Sequence, residues 1–482
     1  MKKISSRRQF LRTAASGAAT VALASQLSWA APSSEKRSSD KPNIVFIFAD
    51  QWRAQAAGYA GNKDVKTPCL DVLAAQSVNF TNAVSGCPVC SPYRASLMTG
   101  QYWLTHGIFY NDKPLNPDAT TIGKVYHRAG YRTAYIGKWH VDGHGRNSFI
   151  PKERRQGFEF WRVCECTHNY NNSLYYADTP VKQYWDGYDA IAQTREAQQY
   201  IRRQANNSPF ALFMSWGPPH SPYQTAPDKY RSMFPDPDKI TLHPNVPESL
   251  KEKAREELAG YYAHIAALDD CLKDILETLK ECGFEENTIF VFTSDHGDML
   301  YSHEQTKKQK PWDESIKVPF LLRYPAVLGV DGRTIDMPIN TPDIMPTLLG
   351  LSGIAIPESV EGKDFSGVIK GTHSQDNDAA LIMCPVPFHQ WSYQQGGREY
   401  RGVRTRRYTY VRDLNGPWLL YDNQTDPYQL KNLSDEPKYA QVRQELEEIL
   451  SRKLKETNDK FLPGPEYMTM WNYQWDGSDG RK

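Results

Sequence analysis

The chain has 482 residues, of which 40% are hydrophobic and 23% charged, which excludes a disordered chain and leaves room for one large α/β domain with an appendage. Its 57 Lys plus Arg against 56 Asp plus Glu leave a net charge of +1, without the basic excess that a nucleic-acid partner needs. Eight Cys are too few for a disulfide scaffold at this length.

In chain order, Met1 to Ala30 reads as an address. Lys2, Lys3, Arg7, Arg8 and Arg12 precede a small, mildly apolar run that ends in Ser28-Trp29-Ala30. Ser6-Arg7-Arg8-Gln9-Phe10-Leu11 resembles a twin-arginine export signal. The exit carries no Cys for a lipid anchor, and no later segment is long and apolar enough to span a bilayer. The expectation is an exported protein, periplasmic or extracellular, without a membrane anchor. Residues 31–41 form a polar linker.

The run Asn43 to Ala49 is unbroken and apolar, as in a strand buried on both faces of a parallel sheet. Arg132 to Ile136, Phe210 to Met214 and Thr288 to Thr293 repeat the pattern. Between the last two, Leu258, Tyr262, Ile265, Leu268, Leu272, Ile275 and Leu279 recur at helical spacing, which predicts a helix over Pro247 to Cys282. Strand alternating with helix predicts an α/β fold over residues 42–371, a large, mostly parallel sheet flanked by helices. Residues 372–482 read as a smaller α+β subdomain with an antiparallel sheet. There, one strand is predicted over Tyr400 to Val411, a turn at Asn415-Gly416, a return over Trp418 to Tyr421, and a helix through Val442, Leu446, Ile449 and Leu450.

The predicted parallel strands end in ionisable residues: Asp50; Lys138 and His140; His220; Asp295 and His296. Ligands of open α/β sheets bind beyond the carboxyl ends of the strands. Carboxylates arriving from separate strands suit a hard divalent cation, and the nearby cations suit an anionic substrate.

Cys87-Pro88-Val89-Cys90 admits a redox pair ahead of a helix. A second reading starts at Cys90: Cys90-Ser91-Pro92-Tyr93-Arg94, continuing to Leu97-Met98-Thr99-Gly100, resembles the signature of type I sulfatases, in which the Cys becomes formylglycine. Gly137-Lys138-Trp139-His140, Pro219-His220-Ser221-Pro222, Ser294-Asp295-His296-Gly297 and Lys308 before Trp312-Asp313-Glu314-Ser315 resemble further blocks of that family, in family order. The resemblance implies an alkaline-phosphatase-like fold, a sulfated carbohydrate as substrate and a formylglycine-generating enzyme as maturation partner. It implies a cation shell of Asp50, Gln51, Asp295, His296 and formylglycine at 90, with Ca²⁺ as the ion. One hydroxyl of the hydrated aldehyde would attack sulfur, with Arg94, Lys138 and Lys308 neutralising the sulfuryl oxygens. His220 would protonate the leaving oxygen, and His140 would take the proton of the second hydroxyl.

The family commonly has Asp where Gln51 stands and Asn where His296 stands. The shell has thereby lost one negative charge, which opens Mn²⁺ or Zn²⁺. The same pairing resembles phosphonate monoester hydrolases, the rival within the fold; a non-catalytic sulfoglycan-binding protein is the rival from another class. Tyr93 and Tyr301 also fill positions that are usually small. Cys164 and Cys166 read as structural, and the aromatic loops at Tyr170 to Tyr176 and Pro387 to Tyr400 read equally as packing or as carbohydrate-facing surface.

Overall fold

The strand Asn43–Asp50 is buried along its whole length. Its side chains alternate between two apolar clusters: Val45, Ile47 and Ala49 enter one, Ile44, Phe46 and Phe48 the other. A strand with no polar face must be covered twice, so this stretch can only lie in the middle of a layered sheet. The computed structural model describes residues 41–204, 208–373 and 378–474 and places this strand there. The export signal and most of the linker read from the sequence lie outside the described residues.

Among the described residues, eight strands form the main sheet, in the order Arg333–Ile335, Val78–Phe80, Phe320–Arg323, Thr288–Ser294, Asn43–Asp50, Phe210–Pro219, Arg132–Lys138, Phe160–Cys164. Only Phe320–Arg323 runs against the rest, pairing antiparallel on both sides. The central pairings are parallel. Their carboxyl ends therefore gather Asp50, Lys138, His220 and Asp295 on one edge.

The helices Pro68–Ala75, Asp189–Arg202 and Lys251–Glu281 supply the cluster on one face. Cys90–Thr99, Ile122–Arg128 and Ile344–Leu351 supply the other. The long helix starts at Lys251 rather than at Pro247, because Glu248–Leu250 forms a separate 3₁₀ turn. No helix among the described residues is long and apolar enough to cross a membrane.

A second sheet has four antiparallel strands, Ala379–Cys384, Tyr400–Thr405, Tyr408–Asp413 and Gly416–Asp422, in sequence order. The single strand expected over Tyr400 to Val411 is two strands. The turn falls at Arg406 and Arg407, which are both exposed, whereas adjacent residues of one strand would point to opposite faces. The helix Ala440–Glu456 packs on this sheet through Leu446 and Leu450.

This second sheet braces loops of the first. Met383 N–H donates to the carbonyl of Gly86 at 2.7 Å. Gln309 and the backbone of Phe388 exchange two hydrogen bonds, of 2.9 and 3.3 Å. Arg404 grips Asp313 through both carboxylate oxygens, at 3.0 and 3.1 Å.

Gly137 has φ +106°, and a methyl there would lie 2.1 Å from the Ser215 carbonyl oxygen of the adjacent strand. Gly137→Ala should therefore lose ~2–4 kcal/mol of stability through strain and overpacking together. Urea unfolding of the purified variant measures this, and an unchanged midpoint would contradict the packing described.

Candidate active site

Cys90 opens the helix Cys90–Thr99, after Val89 in extended conformation. Arg94 follows four residues later and so lies on the same helix face. That face abuts the carboxyl ends of the central strands. The Arg94 guanidinium bridges two carboxylates, with Nη2 3.3 Å from Asp50 Oδ2 and 3.0 Å from Asp295 Oδ2. Its Nη1 donates to the Lys138 carbonyl and to Ser215 Oγ, both at 2.7 Å. All of these side chains are buried.

Four ligand-type residues, Asp50, Cys90, Asp295 and His296, bring one donor atom each within 4.8 Å of one another. His296 Nε2 lies 3.3 Å from Cys90 Sγ, 3.4 Å from Asp295 Oδ1 and 3.6 Å from Asp50 Oδ1. Its Nδ1 donates to the Gly297 carbonyl at 3.0 Å, which leaves the Nε2 lone pair facing the cluster. Two carboxylates, an imidazole lone pair and the side chain at 90 converge in a water-poor pocket. Burial and the neighbouring Asp50 push the Asp295 carboxyl above its ordinary range, a repulsion that a cation relieves. This donor set fits a divalent cation.

Cations surround the cluster. Lys138 Nζ lies 2.6 Å from Asp50 Oδ2. Lys308 Nζ lies 3.2 Å from Cys90 Sγ and 3.2 Å from Gln51 Oε1. Burial opposes ionisation of Asp50, yet the ammonium groups of Lys138 and Lys308 hold its carboxyl well below the usual range. Burial and Asp50 likewise oppose a thiolate at Cys90, but Lys138 and Lys308 keep the group well below the usual thiol range. An anionic oxygen placed at Sγ meets the same field. Cys87 contrasts: it sits in the apolar cluster of the second sheet, and burial pushes its thiol far up. No disulfide joins Cys87 and Cys90.

A cleft of about 320 Å³ opens over Cys90. His140, His220 and Lys308 line it. Neither histidine hydrogen-bonds to the cluster among the described residues. His220 Nδ1 donates to the Ser221 carbonyl at 2.8 Å, so Nε2 is the atom available to a ligand. His140 Nε2 pairs with Asp112 Oδ1 at 3.0 Å. The structure thus links Asp50, Gln51, Cys90, Arg94, Lys138, Asp295, His296 and Lys308 in one chain of contacts and leaves His140 and His220 in the cleft wall.

Several neighbours were not read from the sequence. His168 stacks on His220 with ring centroids 4.4 Å apart and planes 13° from parallel. Asp112 holds both His140 and the Arg146 guanidinium, the latter at 3.0 and 2.7 Å. Asn111 accepts from the Ser91 N–H at 3.1 Å. These lie in loops with no period to mark them. Ser215 did leave a signal, as a hydroxyl inside an otherwise apolar strand.

The family model described as Sulfatase matches residues 42–354, and that described as N-sulphoglucosamine sulphohydrolase, C-terminal, matches residues 302–456. An ulvan-active sulfatase of Formosa agariphila is 46% identical, over 90% of this chain and 85% of that one. An endo-4-O-sulfatase of Bacteroides thetaiotaomicron is 31% identical, over 89% of this chain and 95% of that one. A solved structure from work on glycosaminoglycan metabolism by Bacteroides thetaiotaomicron superposes with a TM-score of 0.80 at 29% identity, covering 90% of this chain and 100% of that one. The phosphonate monoester hydrolase of Agrobacterium radiobacter, at 24% identity and a TM-score of 0.71 over 86% of this chain and 96% of that one, shares the fold. The chain belongs to the sulfatase family, and is an enzyme of that family built on the alkaline-phosphatase-like fold.

Proposed function

We propose that this chain is an exported sulfatase that hydrolyses sulfate esters of a sulfated carbohydrate, with formylglycine formed from Cys90 and a bound divalent cation. The observation that carries the reading is the place of Cys90: a helix N-terminus, ringed by Asp50, Asp295, His296 and Lys308, at the floor of a cleft walled by His140 and His220. The glycan as substrate is supported by the names of the relatives, an ulvan-active sulfatase and an endo-4-O-sulfatase. The catalytic unit would span residues 42–371, with residues 372–482 as its C-terminal subdomain.

Asp50, Gln51, Asp295, His296 and the side chain at 90 would hold the cation; Ca²⁺ suits the oxygen donors, and the His296 nitrogen admits Mn²⁺ or Zn²⁺. When bound, the cation supplies Lewis-acid stabilisation of negative charge on the sulfuryl group. Formylglycine supplies, as its hydrate, a hydroxyl nucleophile that a thiol cannot. Lys138 and Lys308 flank the position of Sγ and neutralise the sulfuryl oxygens; Arg94, which the resemblance also assigns to those oxygens, has both terminal nitrogens engaged by Asp50, Asp295, Ser215 and the Lys138 carbonyl, and acts by keeping the carboxylates in place. His220 Nε2 gives its proton to the leaving sugar oxygen. His140, oriented by Asp112, takes a proton on the return to the aldehyde.

The first test is maturation. Cys90→Ala should abolish turnover, and Cys87→Ser should leave most of it, because Cys87 only packs. Mass spectrometry of active enzyme should find the aldehyde in the peptide around Ser91-Pro92; active protein with only unmodified Cys90 would overturn the reading. Faster turnover of an aryl phosphonate ester than of an aryl sulfate would favour the phosphonate hydrolase instead.

The second concerns the leaving group. A sugar alcohol needs a proton as its S–O bond breaks, whereas a nitrophenolate leaves with little help. His220→Ala should cost ~10²–10⁴-fold on a sulfated sugar and far less on 4-nitrophenyl sulfate. Burial and Lys308 hold the His220 imidazole well below its ordinary pKa. In the free enzyme at neutral pH it is therefore mostly unprotonated, and its acid form grows as pH falls. The ratio of kcat/KM on the sugar to that on the aryl ester should rise toward acid pH, and His220→Ala should flatten it. Equal losses on both substrates in a variant with a lower melting temperature would remove His220 from the mechanism.

The third is cation removal. Chelation should lower the melting temperature, and Ca²⁺ at a hundred times its dissociation constant should restore ~2.7 kcal/mol. Melts with and without chelator decide this.

A further inference from the structure

We propose that Asp298 is a positioning residue: it fixes the Gln51 amide so that its oxygen faces Lys308 and the cation cluster, and its charge is the reason that an amide rather than a carboxylate follows Asp50. This rests on the reading of Gln51 as part of the cation shell.

The backbone of Gln51 is anchored first. Its φ is +74°, its N–H donates to Asp295 Oδ1 at 3.0 Å, and its carbonyl accepts from Tyr261 OH at 2.8 Å. The side chain then runs between opposite charges. Nε2 donates to Asp298 Oδ2 at 2.6 Å, while Oε1 accepts from Lys308 Nζ at 3.2 Å. An amide between a carboxylate and an ammonium has one favourable orientation, because the flipped form sets oxygen against oxygen and N–H against N–H. The ammonium in question is the one that touches Cys90, so Asp298 reaches the position of the nucleophile through two side chains.

Asp298 is itself saturated with donors. Its Oδ2 also accepts from Tyr223 OH. Its Oδ1 accepts from the N–H of Leu300 at 3.1 Å and of Lys307 at 2.9 Å. The Lys307 ammonium lies 3.0 Å from Tyr223 OH and above its ring, one hydrogen bond from the buried carboxylate. Four donors aim at Asp298; Tyr223 OH, one of them, in turn accepts from Lys307 Nζ and Gln51 Nε2, so the chain of donors ends on the carboxylate. A carboxylate in place of the Gln51 amide would face that oxygen with no proton between them, and like charges at this distance are not both kept in a buried site. The charge missing from the shell beside Asp50 is thus held one side chain farther out.

The test uses the mature, formylglycine-bearing chain as Gln51→Ala, Gln51→Glu, Asp298→Asn and the double Gln51→Glu/Asp298→Asn. Calorimetry on chelator-treated protein reads Ca²⁺ affinity, 4-nitrophenyl sulfate reads kcat and KM, and metal-free melts report folding. Asp298→Asn turns an NH₂ toward donors, and Gln51→Glu sets two carboxylates together, so each should lower kcat about tenfold or more with KM little changed. In the double variant the introduced asparagine donates to the introduced glutamate and the contact is remade with reversed polarity. It should regain kcat to within about threefold and bind Ca²⁺ about tenfold more tightly than either single variant, a non-additivity that mere loss of packing does not produce. Additive losses, or native-like Ca²⁺ affinity and kcat in Asp298→Asn while Gln51→Ala is impaired, would overturn the proposal and leave the cation shell standing. Native-like behaviour of Gln51→Ala would remove Gln51 from the shell and the proposal with it.

Discussion

Two buried carboxylates, Asp50 and Asp295, arrive on adjacent strands and share one guanidinium, that of Arg94. Taking such charges out of water is costly unless they are paired and fully hydrogen-bonded. Arg94 meets the requirement from one side, Lys138 from another. Because Cys90 and Arg94 lie four residues apart on one helix, the ion pair that satisfies the carboxylates also delivers Cys90 to them. The position of Cys90 is in this sense an electrostatic consequence.

The same constraint reaches the strands. Arg94 needs Ser215 Oγ and the Lys138 carbonyl at its second nitrogen, and both come from strand segments on the far side of Asp50. Close approach of these strands at Gly137 is possible because that residue has no side chain. Removing any one of the charges would leave the others buried without compensation, so the cluster behaves as a unit.

Much of this was legible in the sequence because it follows from period. Asn43–Asp50 has no polar face, which forces it into a sheet interior, and its last residue then falls on the ligand edge. The long helix was legible from Leu258 to Leu279 for the same reason. The Cys90 block, by contrast, was legible only through its resemblance to a family; its spacing alone left a redox pair open. What stayed hidden lies in contacts between distant loops. His168 and His220 are adjacent only after a crossover through the helix Asp189–Arg202, and nothing local marks His168. Asp298 directly follows the Ser294 to Gly297 block, but its role depends on Gln51, 247 positions earlier. The turn at Arg406 was missed because its residues include no Gly, Pro or Asn; the two adjacent polar residues were the one mark it left.

The bracing of Lys308's neighbour Gln309 by Phe388, and of Gly86 by Met383, joins positions far apart in the chain. Long loops of this kind close late, since their entropy is lost before their contacts form. The parallel sheet can assemble from the first three quarters of the polypeptide, but one wall of the cleft cannot. During synthesis, the core and the carboxylate cluster would thus precede a finished cleft, whose wall becomes complete only when the C-terminal strands have left the ribosome and docked.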